Sequence, residues 1–196
     1  LLKNSDSALP ISHTAARSIA VVGSAAVAKA YDPAGSSQSL AEAIKGSWNT
    51  GDYYSGGGSG HVTAGAPVTP WAGIHRRATA AGIRMLDSTT DDINSAVRAA
   101  SEVDVTIVVA ATTSGEDVDR SDLNLDNGAN ELIDAVAAAA KRTVVLVQAP
   151  GAVLMPWRDS VSAVALMFLG GQETGNAWAS VLFGDYAPSG RLPIMI

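Results

Sequence analysis

Short apolar runs and helix-like patterns alternate along this 196-residue chain. Runs rich in Val, Ile and Ala that end at Gly or polar residues are typical of strands covered on both faces. Between them apolar residues recur at helical spacing, and Thr69 before Pro70 is a typical helix start. Strands separated by helices predict an α/β fold. We expect a three-layer α/β sandwich with a mostly parallel sheet of about five or six strands.

The individual elements follow from the same patterns. The predicted strands are Arg17–Val22, Ile83–Leu86, Val103–Ala111, Thr143–Gln148 and Val161–Phe168. The predicted helices are Ser39–Lys45, one that begins after Thr69, one from Thr90 or Asp91 through Ala100, Ala129–Ala140 and Thr174–Phe183. No fixed-period repeat and no long linker divides the chain, so we expect a single domain over residues 1–196.

Composition and charge narrow the classes of function. Apolar residues make up 47% of the chain, which is enough for a buried core, and there is no cysteine. The lack of cysteine excludes a disulfide framework, a thiolate metal site and a Cys nucleophile. The 13 basic against 19 acidic residues, a net charge of −6, argue against a nucleic-acid partner. The longest apolar stretches run about nine residues, roughly half of what a spanning helix needs, so no membrane span is predicted.

The densest polar cluster, Thr112–Asp122, directly follows the most apolar predicted strand. Loops at the carboxyl ends of parallel strands are where such folds bind ligands. Within this cluster Glu116 is a candidate general acid or base, and we expect Asp119 and Arg120 to orient the loop by ion pairing. The alternative is an acidic loop that is simply solvated or that caps the next helix.

A Gly-rich loop, Gly51–Gly65, is the second candidate ligand-binding segment. Glycines such as Gly57 and Gly58 permit close approach of the backbone to a ligand, and Ser59 and His61 add polar side chains. The loop lacks Gly-Lys-Ser/Thr, which excludes a P-loop, and the histidines show no metal spacing. Neither a cofactor nor a metal is therefore predicted. The alternative interpretation is a mobile surface loop.

Several short motifs follow one another in a set order along the whole chain. They are Arg17–Gly23, Gly56–Val62, Val68–Ile74, Gly115-Glu116-Asp117-Val118-Asp119-Arg120, Pro150-Gly151, Met155-Pro156-Trp157, Gly170–Asn176, Leu182–Asp185 and Pro188–Pro193. In order and spacing these motifs resemble the C-terminal α/β-sandwich domain of family 3 glycoside hydrolases, the β-glucosidase and β-xylosidase group.

The resemblance implies an active site shared between two domains. A preceding barrel domain, absent from this chain, would supply an Asp nucleophile in cis or from a separate chain, and Glu116 matches the general acid/base. Gly57, Gly58, Ser59 and His61 would form part of the site for a β-linked sugar. Retaining hydrolysis needs the two carboxyl groups about 5–5.5 Å apart and an acid with a raised pKa. For this domain alone, with its loop in water, we expect an ordinary pKa for Glu116.

Two features keep a second function open. Asp117 stands where the family usually has glycine, and it adds a carboxylate beside Glu116. The chain also opens on Leu1 rather than Met, so we expect a fragment or a processed piece. The alternative is a stand-alone, non-catalytic carbohydrate-binding or scaffold and subunit-interface protein, with a protein partner covering the vacant domain interface. A secreted or periplasmic location is implied by the resemblance only.

Overall fold

One six-stranded, mostly parallel sheet organises the chain in the computed structural model, which describes residues 1–31 and 51–194. The strands are β1 (Lys3–Asn4), β2 (Ser18–Val22), β3 (Arg84–Ser88), β4 (Val105–Ala111), β5 (Thr143–Gln148) and β6 (Ala163–Met167). Their order is β1-β6-β5-β4-β2-β3, and all neighbours are parallel except β1 and β6.

Helices connect the strands. The α-helices are α1 (Pro70–Ala80), α2 (Ile93–Ser101), α3 (Ala129–Ala139) and α4 (Thr174–Leu182). Short 3₁₀ helices lie at Ser5–Ser7, Ser24–Val27, Asp126–Gly128, Arg158–Ser160 and Gly171–Glu173. The predicted helix Ser39–Lys45 lies outside the described residues. Of the helices in the described ranges, none combines the length and the apolar character that a bilayer crossing needs.

Both faces of the sheet are covered by helices. On one face α1 and α4 pack over a core that includes Ile107 and Leu146, and on the other α2 and α3 pack over Val108 and Val145. Successive strand residues belong to opposite cores, as the pleat requires. Every residue of β4 and β5 is buried, which explains why these strands read as apolar runs in the sequence. The predicted three-layer α/β sandwich is confirmed.

The start of α2 differs from the prediction. A start at Thr90 or Asp91 is wrong, because the helix begins at Ile93 after the capping residue Asp92. Asp91 instead accepts a hydrogen bond from Ser24 N at 2.9 Å. The Asp91 carboxylate, at the predicted start of the helix, therefore ties the loop after β3 to the loop after β2.

Two glycines let α1 and α4 cross at close range. A Cβ on Gly175 would lie 2.0 Å from the carbonyl oxygen of Thr69, and one on Gly73 would lie 2.1 Å from that of Gly175. Gly175 N also donates to Val68 O at 2.8 Å. Thr69 caps α1 as predicted, since its Oγ1 accepts from Ala72 N at 3.1 Å. The start of α4 is thus fastened to the start of α1.

We expect Gly175→Ala to destabilise the domain by about 1–3 kcal/mol, because the new methyl group meets backbone atoms that move only if a helix moves. In an open helix the same change would stabilise by roughly 0.5–1 kcal/mol, so the sign of the effect tests the close crossing. Denaturant unfolding measures the change. Gly190→Ala is the control, since nothing lies within 4 Å of a Cβ there. An unchanged or higher stability of Gly175→Ala would contradict this geometry.

Candidate functional site

The Gly-rich loop of residues 51–65 lies across the carboxyl ends of three neighbouring strands. Three of its backbone carbonyls accept hydrogen bonds from residues at or just after the ends of β4, β5 and β6. The pairs are Thr113 Oγ1 to Asp52 O (3.0 Å), Gln148 Nε2 to Tyr53 O (3.2 Å) and Gly171 N to Tyr54 O (2.9 Å). The sheet edge therefore sets the position of the loop.

Asp52 folds the start of this loop. Its Oδ1 accepts hydrogen bonds from Tyr54 N and Ser55 N at 2.7 and 2.8 Å, and its Oδ2 accepts from Tyr31 N at 2.6 Å. Tyr54 is only 1% exposed and donates its hydroxyl to Ala28 O at 2.7 Å. Burial first, and the Asp52 charge second, raise the pKa of Tyr54 to about 12. Sequence reasoning missed Asp52, although an Asp that opens a Ser- and Gly-rich segment is a typical Asx-turn signal.

Glu116 meets the Gly-rich loop through backbone and side-chain hydrogen bonds. Gly57 N donates to Ser114 O at 2.9 Å and Glu116 N donates to Gly57 O at 3.2 Å, so the two segments form a short parallel bridge. Ser59 then donates twice to Glu116 Oε2, from its N at 2.7 Å and from its Oγ at 2.6 Å. Glu116 and the Gly-rich loop are therefore in contact, as the shared sugar site implied by the resemblance requires, although 57 residues separate Glu116 from Ser59.

Gly58 makes this approach possible. Its φ is +93°, a value that side chains rarely adopt, and a Cβ at this position would lie 2.3 Å from Glu116 Cβ. At Gly57 and Gly58 the backbone was expected to approach a ligand closely. In this structure it approaches Glu116 of the same domain.

His61 fixes the shape of the turn that carries Ser59. Its N donates to Gly58 O at 3.0 Å, and its Nδ1 lies 3.0 Å from Gly56 O. Because a carbonyl oxygen only accepts, Nδ1 carries the hydrogen in this contact. Nε2 is buried and has no hydrogen-bond partner in the part of the chain that the structure describes. The ring packs against Tyr31, with the two centroids 5.7 Å apart.

The electrostatics of Glu116 differ from the expectation. Its side chain is exposed, yet its pKa lies below the ordinary value, chiefly because the Ser59 hydroxyl donates to the carboxylate and secondly because the Ser59 backbone N–H does. Both hydrogen bonds stabilise the charged form. The expected ordinary pKa for the domain alone is therefore wrong, because solvent is not the only partner of this carboxylate.

Arg120 holds the Glu116 loop without an ion pair. Its Nη2 donates to Ala152 O at 2.7 Å, and its Nη1 is buried with no hydrogen-bond partner among the described residues. The ion pairs found in residues 1–31 and 51–194 involve neither Arg120 nor Asp119. The expected ion pairing of these two side chains is therefore wrong. Arg120 instead connects this loop to the loop after β5 through a backbone carbonyl.

A cavity of about 180 Å³ opens beside Glu116, and residues 112–115 and 118–122 contribute most of its lining. It is smaller than the roughly 300–1,000 Å³ of typical small-molecule sites. Glu116 does not line it, because its carboxylate is turned toward Ser59. Among the described residues no group of three or more His, Asp or Glu side chains is placed to hold a metal ion. This edge of the domain is open, and the cavity alone does not enclose a sugar.

Buried polar side chains that sequence reasoning missed, Gln148 above all, connect the Gly-rich loop to the core. Gln148 is 1% exposed, and its Oε1 accepts from Trp178 Nε1 at 3.1 Å while its Nε2 holds Tyr53 O. Tyr53 donates its hydroxyl to Asp126 Oδ2 at 3.0 Å, and burial first and Asp126 second raise the pKa of Tyr53 well above its usual range. A single polar residue at the end of an apolar strand is the signal that could have singled out Gln148.

Known proteins share this sequence and this fold. Probable beta-glucosidase L of Aspergillus terreus is 37% identical over 207 residues, which cover 100% of this chain and 27% of that protein. Beta-glucosidase cel3A of Pyricularia oryzae is 36% identical with the same coverage. The crystal structure of Beta-D-glucoside glucohydrolase from Trichoderma reesei superposes with a TM-score of 0.85 at 35% identity, over 98% of this chain and 28% of that one.

A second crystal structure, that of the beta-glucosidase D2-BGL from Chaetomella raphigera, gives a TM-score of 0.81 at 32% identity. It too is matched over 98% of this chain and only 27% of its own length, so the chain corresponds to one part of these proteins. The family description that matches residues 1–196 is the Glycosyl hydrolase family 3 C-terminal domain. By sequence along its whole length and by fold, the chain belongs to glycosyl hydrolase family 3 as its C-terminal domain.

Proposed function

We propose that this chain is the second domain of a β-glycosidase that hydrolyses β-linked glucosides or related sugars with retention of configuration. Its similar proteins from A. terreus and T. reesei bear the names beta-glucosidase and Beta-D-glucoside glucohydrolase. The observation that carries the proposal is the double hydrogen bond from Ser59 to Glu116. It holds a carboxylate at the carboxyl edge of the sheet, where α/β folds bind their ligands.

In the proposed mechanism Glu116 acts twice. As an acid it gives its proton to the leaving glycosidic oxygen, while an Asp carboxylate of a barrel domain attacks the anomeric carbon and forms a covalent glycosyl intermediate. As a base it then takes a proton from water, whose oxygen attacks the same carbon and releases the Asp. The two carboxyl groups need a separation of about 5–5.5 Å. The barrel, in cis or as a separate chain, would therefore face the edge that carries Glu116.

A barrel domain would also supply the desolvation that Glu116 lacks. An efficient acid needs a pKa near the working pH, whereas Ser59 lowers the pKa of the exposed Glu116. Leu123 and Leu154, 42% and 52% exposed, lie side by side near this loop, since Leu154 N donates to Leu123 O at 2.8 Å. These two exposed leucines are suited to contact with another domain.

The low pKa of Glu116 favours a second function as well, that of a non-catalytic carbohydrate-binding or scaffold protein. An ionised carboxylate accepts hydrogen bonds from sugar hydroxyls but has no proton to give. Asp117 beside it adds a second exposed acceptor. In that case a different protein partner would cover Leu123 and Leu154.

Hydrolysis of a chromogenic β-glucoside, by this chain with and without a barrel domain, separates the two functions. We expect activity only when the barrel is present, in cis or added as a second chain, because one carboxylate cannot run both steps. Turnover by the chain alone would contradict the shared site. Inactivity with every barrel partner would favour the second function, and calorimetric titration with sugars would then separate a binding module from a scaffold.

A further inference from the structure

The contact between Ser59 and Glu116 constrains which carboxylate oxygen can be protonated. Both donors of Ser59 reach the same atom, Oε2, at 2.6 and 2.7 Å. The Ser59 N–H and the Ser59 O–H each point a hydrogen at Oε2, so a proton on Oε2 would face both of these hydrogens. As long as both hydrogen bonds are kept, protonation of Glu116 therefore falls on Oε1. Ser59 thereby fixes the orientation of the carboxylate, in which Oε2 accepts both hydrogen bonds and Oε1 is free to take the proton.

The loop is built to present Ser59 in this way. Gly58, directly before it, has a φ of +93° and has no room for a side chain against Glu116. His61 holds the carbonyl oxygens of Gly56 and Gly58 with its ring and its backbone N–H. The residues on both sides of Ser59 are therefore fixed, and its two donors need little reordering to reach the carboxylate.

Ser59 is also the dominant influence on the charge of Glu116. Two segments meet at this side chain, its own loop and the Gly-rich loop. Their other titratable groups are Asp117, Asp119, Arg120 and Asp122 on the first, and Asp52, His61 and two tyrosines on the second. None of them accounts for the low pKa of Glu116, which has the Ser59 hydroxyl as its first cause and the Ser59 backbone N–H as its second. Only desolvation opposes them.

We propose that Ser59 is a positioning residue, which holds the Glu116 carboxylate in one orientation and favours its ionised form. The inference rests on the proposed function, in which Glu116 alternates between proton donor and proton acceptor. Ser59 would favour the second role, because a carboxylate held by two donors is ready to receive a proton from water on its free oxygen. In the first role the same bonds oppose protonation, so Ser59 limits the pH range over which Glu116 is an acid.

An NMR titration of the Glu116 side-chain carboxyl carbon in this 196-residue chain tests the inference without any need for activity. In Ser59→Ala we expect the pKa of Glu116 to rise, because the hydroxyl is lost and only the backbone N–H remains. Ser59→Thr should restore the original titration, since it keeps the hydroxyl at an exposed position. Ser101→Ala is the control, because that hydroxyl donates to Arg98 O at 2.8 Å in α2. Identical curves for the wild type and Ser59→Ala would overturn the inference.

The pH profile of kcat/KM, measured in the longer protein with its barrel domain, separates this inference from the proposed function. Ser59→Ala should move the basic limb to higher pH and lower the maximum roughly tenfold, because the carboxylate is less well oriented. Ser59→Thr should return both to normal. A Glu116→Gln variant that keeps its activity would overturn the proposed function and leave the NMR result standing. If Glu116→Gln is inactive but the basic limb of the kcat/KM profile stays in place in Ser59→Ala, only the role of Ser59 is overturned.

Discussion

Replacing Glu116 by glutamine, in the proposed protein that joins this domain to a barrel domain, should lower kcat/KM for β-glucosides with poor leaving groups by about 10²–10⁴-fold. Glutamine keeps the size of the side chain, and its carbonyl oxygen still accepts from Ser59. It has no proton to give to the leaving oxygen. For a dinitrophenyl glucoside, whose leaving group departs without a proton, the loss in kcat/KM should nearly vanish, because this parameter reports the steps up to the covalent intermediate.

The control for this experiment lies next to the candidate acid. Asp117 is exposed and has a φ of +61°, a left-handed conformation that asparagine adopts as readily as aspartate. Asp117→Asn therefore removes the neighbouring charge with little change of backbone, and its rates should stay near wild type for both leaving groups. A loss in Glu116→Gln that is equal for good and poor leaving groups would assign Glu116 to binding or structure rather than to proton donation.

The central elements of the fold could be predicted because their residues are buried on both sides. β5 coincides with the predicted Thr143–Gln148, since an apolar run between turn residues leaves little freedom in its ends. β1 could not be predicted. It has two residues, Lys3 and Asn4, and it exists only because they pair with Val164 and Ala163 of β6. Such a strand is determined by tertiary contacts rather than by its own pattern.

The candidate site shows the same division. That Glu116 and the Gly-rich loop meet follows from topology and from the family resemblance, because both lie at the carboxyl edge of the sheet. The contacts themselves depend on distances between loops, which no periodicity encodes. Arg120 finds the carbonyl of Ala152 rather than Asp119, and Gln148 joins Trp178 to the loop. The sequence shows that the residues at these positions are polar, but it does not show which groups they bind.

The glycine usual in the family at position 117 has a physical explanation in this structure. The backbone there has a φ of +61°, in the region that glycine adopts without strain and that aspartate tolerates better than most residues. Asp117 therefore preserves the turn after Glu116 while it adds a charge. The departure from the family pattern therefore preserves the shape of the loop, and Asp117 is not among the causes that shift the pKa of Glu116.

Gly58→Ala should have the second largest effect, a fall in kcat/KM of about 10²-fold in the proposed two-domain protein. Its Cβ would lie 2.3 Å from Glu116 Cβ and 2.9 Å from Oε2, so the carboxylate must leave its place beside Ser59 or the loop must shift. The φ of +93° adds strain of about 1–3 kcal/mol, which a melting curve would detect. Gly60→Ala is the matched control, because it makes the same change in the same loop at a position where a Cβ has nothing within 4 Å. Full activity of Gly58→Ala beside an inactive Glu116→Gln would contradict this prediction. Glu116 would then act as an acid from a different orientation, and its contact with Ser59 would be present in the isolated domain but not during catalysis.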